Sequence, residues 1–176
     1  RVVSIDVPWW RDQSYYDEPG RGTYARDGGG VLISQAIHTL DLMVSLCGPF
    51  NSVQSLSSTT AFHQMAAADC VAGGVLLVDA SVGSLSTTTA QDPGGAESIR
   101  LDCDLASVVL KSGVLHVHWR NGTQEAFGTS ASTGGGADPM AFPFEWHRDL
   151  IADFARTVSE GRPPAVSGAA ALEVHR

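Results

Sequence analysis

Gly28-Gly29-Gly30-Val31-Leu32-Ile33-Ser34-Gln35-Ala36-Ile37-His38-Thr39-Leu40-Asp41-Leu42 is a triple glycine running into a helical pattern. Apolar residues fall at Ile33, Ala36, Ile37, Leu40, Val44 and Cys47, the i, i+3, i+4, i+7 spacing of one buried helix face. The spacing predicts a single helix from about Val31 to Cys47, stopped by Gly48-Pro49. Ser34, His38 and Asp41 fall on another stripe, within roughly 60° of one another at about 100° per residue. The glycines admit the close approach of a ligand, and the free N–H groups at the helix start offer a place for an anion. Two phosphate-loop readings fail on spacing. No Gly-Lys-Ser/Thr follows the glycines, and Gly-Gly-Gly is not the GxGxxG of a dinucleotide turn.

Upstream, Arg1 to Trp10 alternates as a strand, and the stretch from Trp9 to Tyr24 is a loop dense in aromatic rings, guanidinium groups and turn residues. It reads as a ligand wall or as a structural loop whose rings pack on the sheet. Downstream, Asn51 to about Phe127 is β throughout, with alternation at Val82, Leu85 and Thr87 and again at Ile99, Leu101 and Cys103. Gly73-Gly74 predicts a turn or bulge, and Asn121-Gly122 a type I′-like hairpin turn. Short turns between successive strands imply a mainly antiparallel sheet. Gly128 to Ala141 reads as a mobile Gly/Ser/Thr-rich loop. Pro143 to Gly161 then reads as a helix with Phe144, His147, Leu150, Ile151, Phe154 and Val158 on its apolar face, and Ser167 caps a last helix.

The chain of 176 residues fits one domain, and it carries a formal net charge of −8 with no basic run. Nucleic-acid binding is disfavoured, because neutralising phosphates needs clustered cations. No apolar run approaches a membrane span. Cys47, Cys70 and Cys103 are odd in number and far apart, which predicts reduced thiols in a cytoplasmic protein. Only 17 % of residues are charged, which fits either a surface covered by a partner or dilution by small residues. The chain opens inside a strand at Arg1 and stops at Arg176 inside an apolar-periodic segment. The expectation is a fragment of a longer protein.

His38 is the leading candidate for chemistry, because an imidazole moves protons near neutral pH. Ser34 at i−4 and Asp41 at i+3 are placed to orient it on a continuous helix. A hydrolytic triad is rejected: all three residues share one helix, and Ser34 is not in a G-x-S-x-G elbow. No metal motif is present. His116 and His118 share a strand face and read as surface residues, as do Asp149 and Asp153 on the late helix.

Trp-Trp-Arg-Asp-x-x-Tyr-Tyr, Arg-Gly-Thr-Tyr, Asp-Gly-Gly-Gly-x-Leu-x-Ser-Gln-Ala-Ile-His-x-Leu-Asp-Leu and Leu-Cys-Gly-Pro follow one another along the chain. This series resembles the C-terminal domain of the Gfo/Idh/MocA oxidoreductases, the glucose–fructose oxidoreductase and inositol dehydrogenase group. The resemblance covers nearly all of residues 1–176. It implies an α+β fold, an open and mainly antiparallel sheet with helices packed on one face, like the C-terminal domains of dihydrodipicolinate reductase and glyceraldehyde-3-phosphate dehydrogenase. It implies a separate N-terminal Rossmann domain that binds NAD or NADP, and homo-oligomerisation through the sheet face. It maps the family's helix histidine onto His38 and the following acidic residue onto Asp41. Ser34 stands where Asp or Asn is commoner, a departure that implies a different proton relay or substrate. Lys111, the only lysine, is not in the family's Glu-Lys-Pro motif.

The expected function is therefore a substrate-binding and oligomerisation domain of an NAD(P)-dependent oxidoreductase acting on a sugar, nucleotide sugar or polyol. His38, Ser34 and Asp41 are the expected catalytic set, and Arg11, Tyr15, Tyr16 and Gln35 the expected sugar contacts. Gly28, Gly29 and Gly30 are expected beside the cofactor, and the 176 residues alone are expected to be inactive. The alternative is a sugar-binding or oligomerisation module that has lost catalysis, an idea that Ser34 keeps open.

Overall fold

Strand β1 (Val2–Pro8) buries Val3, Ile5 and Val7 and turns Ser4 and Asp6 to the opposite face. That alternation places it at the centre of the sheet. It pairs in parallel with β4 (Val82–Thr88) and antiparallel with β5 (Ser98–Asp102). The remaining strands are β2 (Phe50–Ser58), β3 (Cys70–Leu77), β6 (Ala106–Lys111), β7 (Val114–Trp119) and β8 (Gln124–Phe127). The spatial order is β2-β3-β4-β1-β5-β6-β7-β8, and every pairing except β1 with β4 is antiparallel. This computed structural model describes residues 1–131 and 144–175. Most of the Gly/Ser/Thr-rich loop expected at 128–141, together with Pro143, lies outside the described residues.

The helices are α1 (Gln13–Tyr16), α2 (Tyr24–Asp27), α3 (Val31–Ser34), α4 (Ile37–Cys47), α5 (Glu145–Glu160) and α6 (Gly168–Ala171). Ala36, Leu40 and Met43 close over Ile5, Val7, Val75, Leu77, Leu85 and Ile99 to make the core. The open, mainly antiparallel sheet with helices on one face is therefore as the resemblance implies. On the other face Ser4, Ser84, Ser86, Arg100 and Asp102 stay at least partly exposed.

The expected helix from Val31 to Cys47 is two helices. The Ala36 N–H reaches back five residues to the Val31 carbonyl at 2.8 Å, and the segment Tyr24–Ser34 meets α4 at 51°. The apolar spacing was compatible with one rod, but burial of Val31, Gln35 and Ala36 against the sheet takes precedence. Strand β3 runs unbroken through Gly73-Gly74. A Cβ on Gly73 would lie 2.4 Å from the Gln54 carbonyl oxygen, so the glycine serves close strand packing instead of a turn.

The two-residue hairpin with positive φ at both positions is Ser112-Gly113, at 52° and 77°. At Asn121-Gly122 only Gly122 takes a positive φ, and the Trp119 N–H bonds the Thr123 carbonyl at 2.9 Å. This is a three-residue loop, not a type I′ turn. Helix α5 ends at Gly161 (φ 65°) as expected, and the Ser167 hydroxyl caps α6. The apolar side of α5 is exposed at Leu150, Ile151, Phe154 and Val158, not buried on the sheet. No single helix among the described residues is long and apolar enough to cross a membrane.

Candidate functional site

The break at Gln35-Ala36 separates the residues that one helix would have lined up. The Ser34 hydroxyl donates to the Gly30 carbonyl at 2.7 Å and meets the Gln35 side-chain amide at 2.5 Å. No hydrogen bond joins His38 to Ser34 or Asp41 among the described residues. His38 and Asp41 are exposed on α4, and both line one open cavity of about 530 Å³ beside Ser45 and Val166. The structure thus keeps His38 with Asp41 and assigns Ser34 to a different cluster.

That second cluster is built on the loop after β1. Asp12 accepts from the Ser14 N–H at 2.9 Å and starts α1, which fixes Tyr15 and Tyr16 on a short turn. This bond, with help from the Ser14 hydroxyl, draws the exposed Asp12 carboxyl below its ordinary range. The buried Arg11 guanidinium lies 5.0 Å from the Trp9 ring centre and 5.6 Å from that of Tyr15, and donates to the Trp10 carbonyl at 2.8 Å. Arg21 lies 4.3 Å over the other side of the Tyr15 ring system and donates to the Tyr15 hydroxyl at 2.8 Å.

Gln35 reaches the same hydroxyl at 3.4 Å. The Ser34 hydroxyl shares its one proton between the Gly30 carbonyl and Gln35 Oε1, and Gln35 Nε2 donates to the Tyr15 hydroxyl. Arg11 and Gln35 therefore meet at the Tyr15 side chain. Tyr16 packs its ring edge-on against Tyr15 at 5.1 Å, but its hydroxyl is engaged elsewhere. It is buried, its hydroxyl is 2.7 Å from Thr89 Oγ1, and burial pushes its phenol up to about 12.

Trp9 bridges the two clusters. It also lines a cavity of about 510 Å³ with His38, Thr39, Glu97, Trp146 and Leu150, and its indole N–H donates to Glu97 at 3.2 Å. His147 of α5 completes this wall. Neither Glu97 nor Thr39 carries a signal in the sequence pattern. Glu97 follows a turn 59 positions after His38, and Thr39 sits within the apolar pattern of α4. His147 was visible only as a member of the α5 apolar face.

The glycine row has uses inside the fold. Gly28 takes φ 78° to cap α2, with open space where a Cβ would stand. A Cβ on Gly29 would press on Ile33, and one on Gly30 would lie 2.0 Å from the Ala68 carbonyl oxygen. Only Gly28 leaves room for a ligand. Among the described residues no group of three or more His, Cys, Asp or Glu could hold a metal ion.

The family model described as the GFO/IDH/MocA C-terminal domain matches residues 1–109. The chain belongs to this family. Solved structures of similar fold include the WlbA dehydrogenase of Bordetella pertussis in complex with NADH and UDP-GlcNAcA. It aligns at TM-score 0.75 and 22% identity over 98% of this chain and 48% of that one. The WlbA dehydrogenase of Chromobacterium violaceum with the same two ligands aligns at TM-score 0.74 and 25% identity over 99% and 49%. Levoglucosan dehydrogenase in complex with NADH aligns at TM-score 0.74 and 18% identity over 98% and 53%. The Gfo/Idh/MocA chain described here spans about half the length of these structures. Comparison with curated protein sequences finds no match.

Proposed function

We propose that residues 1–176 are the C-terminal substrate domain of an NAD(P)-dependent dehydrogenase that acts on a CH–OH group of a sugar or nucleotide sugar. The observation that carries this reading is Trp9, whose ring contacts Arg11 and which also lines the His38 cavity. A sugar ring spanning Trp9 would rest on aromatic faces, meet Arg11, Tyr15 and Gln35 with its hydroxyls, and present one hydroxyl to His38. Similar structures hold NADH with UDP-GlcNAcA, which supports the substrate class.

The residues of this chain do not fit a dinucleotide. Gly29 and Gly30 are filled by Ile33 and Ala68, and no GxGxxG turn is present. We therefore assign the cofactor to an N-terminal Rossmann domain of the same polypeptide, where it would supply hydride transfer. The contribution of this chain is the proton. His38 accepts it from the substrate hydroxyl, and Asp41, one turn on, balances the resulting charge. Ser34 acts on the sugar side, through Gln35. The uncovered sheet face, small and polar at Ser84 and Ser86, is assigned to a second copy of the protein, and the free thiols fit the cytoplasm.

The test is His38→Ala in the full-length protein, with UDP-GlcNAcA and levoglucosan as first substrates. A proton-handling role lowers kcat by roughly 10²- to 10⁴-fold while NADH affinity stays constant. Unchanged turnover removes His38 from the mechanism. Oxidation of either compound by residues 1–176 alone would remove the need for a second domain.

A further inference from the structure

His63 lies outside both clusters, in the connection between β2 and β3. Its side chain is fully buried, as is that of Asp69. Nδ1 is 2.6 Å from Asp69 Oδ2, and Nε2 is 2.8 Å from the Arg11 carbonyl oxygen. The rings of Tyr16 and Trp10 enclose it at 4.8 and 5.7 Å.

A backbone carbonyl only accepts. The Asp69 carboxylate already accepts the Thr60 N–H at 2.8 Å and the Thr60 hydroxyl at 2.6 Å. An imidazole between two such acceptors satisfies both only with a proton on each nitrogen. Buried, that cation needs a counter-charge in contact, and Asp69 is one.

The bonds also close a ring through the backbone. The Arg11 N–H donates to the Thr89 carbonyl at 2.9 Å, and the Thr89 N–H donates to the Asp69 carbonyl at 2.9 Å. His63 then links Asp69 back to Arg11. Both backbone polar groups of Arg11 are thus held, one by a strand end and one by the imidazole.

We infer that His63 is a positioning residue for Arg11: an imidazolium, neutralised by Asp69, that fixes the Arg11 backbone and sets its guanidinium between the Trp9 and Tyr15 rings. Its importance for ligand binding rests on the reading of Arg11 as a sugar contact. The ring closure and the charge state stand without that reading.

The experiment is NMR of the full-length protein labelled with 15N-histidine, at pH 7, on wild type and His63→Gln. Both His63 nitrogens are expected at protonated shifts in wild type. A neutral single-proton tautomer overturns the proposal without any variant, so a His63→Gln protein that fails to fold does not block the test. In folded His63→Gln, the upfield shift of the Arg11 Cδ protons, which ring currents of Trp9 and Tyr15 produce, is expected to collapse. An unchanged Arg11 signal overturns the positioning role. UDP-GlcNAcA binding is expected to weaken roughly tenfold with NADH affinity unchanged. If wild type binds no UDP-GlcNAcA while the Arg11 signal responds as expected, the sugar reading fails and the positioning role is upheld.

Discussion

Replacing Gly30 by alanine isolates what the glycine row contributes. The added Cβ would lie 2.0 Å from the Ala68 carbonyl oxygen and 2.8 Å from the Ala68 carbonyl carbon and nitrogen. These are backbone atoms, so no side-chain rotation relieves the clash. The two segments must separate by about 1 Å to reach any tolerable contact. That movement breaks the Val31 N–H to Ala68 carbonyl bond, now 2.9 Å. Overpacking costs about 1–3 kcal/mol and the lost bond about 1 kcal/mol, giving a loss of roughly 2–4 kcal/mol. Gly28→Ala meets open space but keeps φ 78°, for a loss of about 1–2 kcal/mol. Gly29→Ala meets the Cγ2 methyl of Ile33 at 2.9 Å, which moves only with a stiff β-branched χ1, and is expected between the other two. Urea unfolding of the three variants, read by tryptophan fluorescence, checks the ranking through the transition midpoints at constant slope. A Gly30→Ala protein as stable as wild type, or less affected than Gly28→Ala, would refute the close approach. It would return the row to a ligand-facing role.

Ser34→Ala removes the hydroxyl that steadies Gln35, so it is expected to raise the sugar KM several-fold and leave kcat nearly constant; steady-state kinetics distinguishes it from His38→Ala. Tyr16 is held neutral by burial up to about 12 against an ordinary value of 10.0, so its contribution to stability is complete below pH 10. That contribution is lost as pH rises toward 12; thermal melts of wild type and Tyr16→Phe are expected to converge over that interval. The Arg100 fork and the Ser107 hydroxyl draw the Asp102 carboxyl down to about 2. The stability from this exposed group is present above its ordinary value of 3.8 and fades as pH falls toward 2, an acid limb that Asp102→Asn is expected to flatten. Light scattering of the full-length protein is expected to give a dimer or larger assembly, and a monomer at micromolar concentration removes the second copy from the sheet face.

Period-2 alternation made the central strands legible, because β1, β3 and β4 each put one face on the core. Val3, Ile5 and Val7 could be read as buried from spacing alone. The partner of β1 could not: β4 joins it in parallel across 73 intervening residues, and nothing local encodes a non-local pairing. Turn chemistry was legible as turn but not as type. Ser112 takes a positive φ beside Gly113, whereas Asn121 accepts from the Thr123 N–H at 2.9 Å and keeps a negative one. The site was half legible. Arg11, Tyr15 and Gln35 converge because a capped loop and a helix break bring them together. His63 stood in a polar connection without any motif. Its role comes from Asp69 and the Arg11 carbonyl, positions that only the folded chain makes neighbours.

The helix break also explains how a serine can stand where a carboxylate is commoner. On a continuous helix Ser34 would face His38, and a hydroxyl would be a poor substitute for a charged partner. After the break, Ser34 belongs to the turn that ends α3, and its hydroxyl faces the Gly30 carbonyl and Gln35 Oε1. There a carboxylate would meet a carbonyl oxygen at 2.7 Å and repel it, whereas a hydroxyl donates. Serine therefore fits the local geometry better than Asp. In the proposed mechanism the charge beside His38 falls instead to Asp41 on the same helix, or to Glu97 across the cavity, which Trp9 holds by its indole N–H. The groups proposed to handle the proton and to hold the sugar are thus mounted on different elements, and Trp9 is in reach of both.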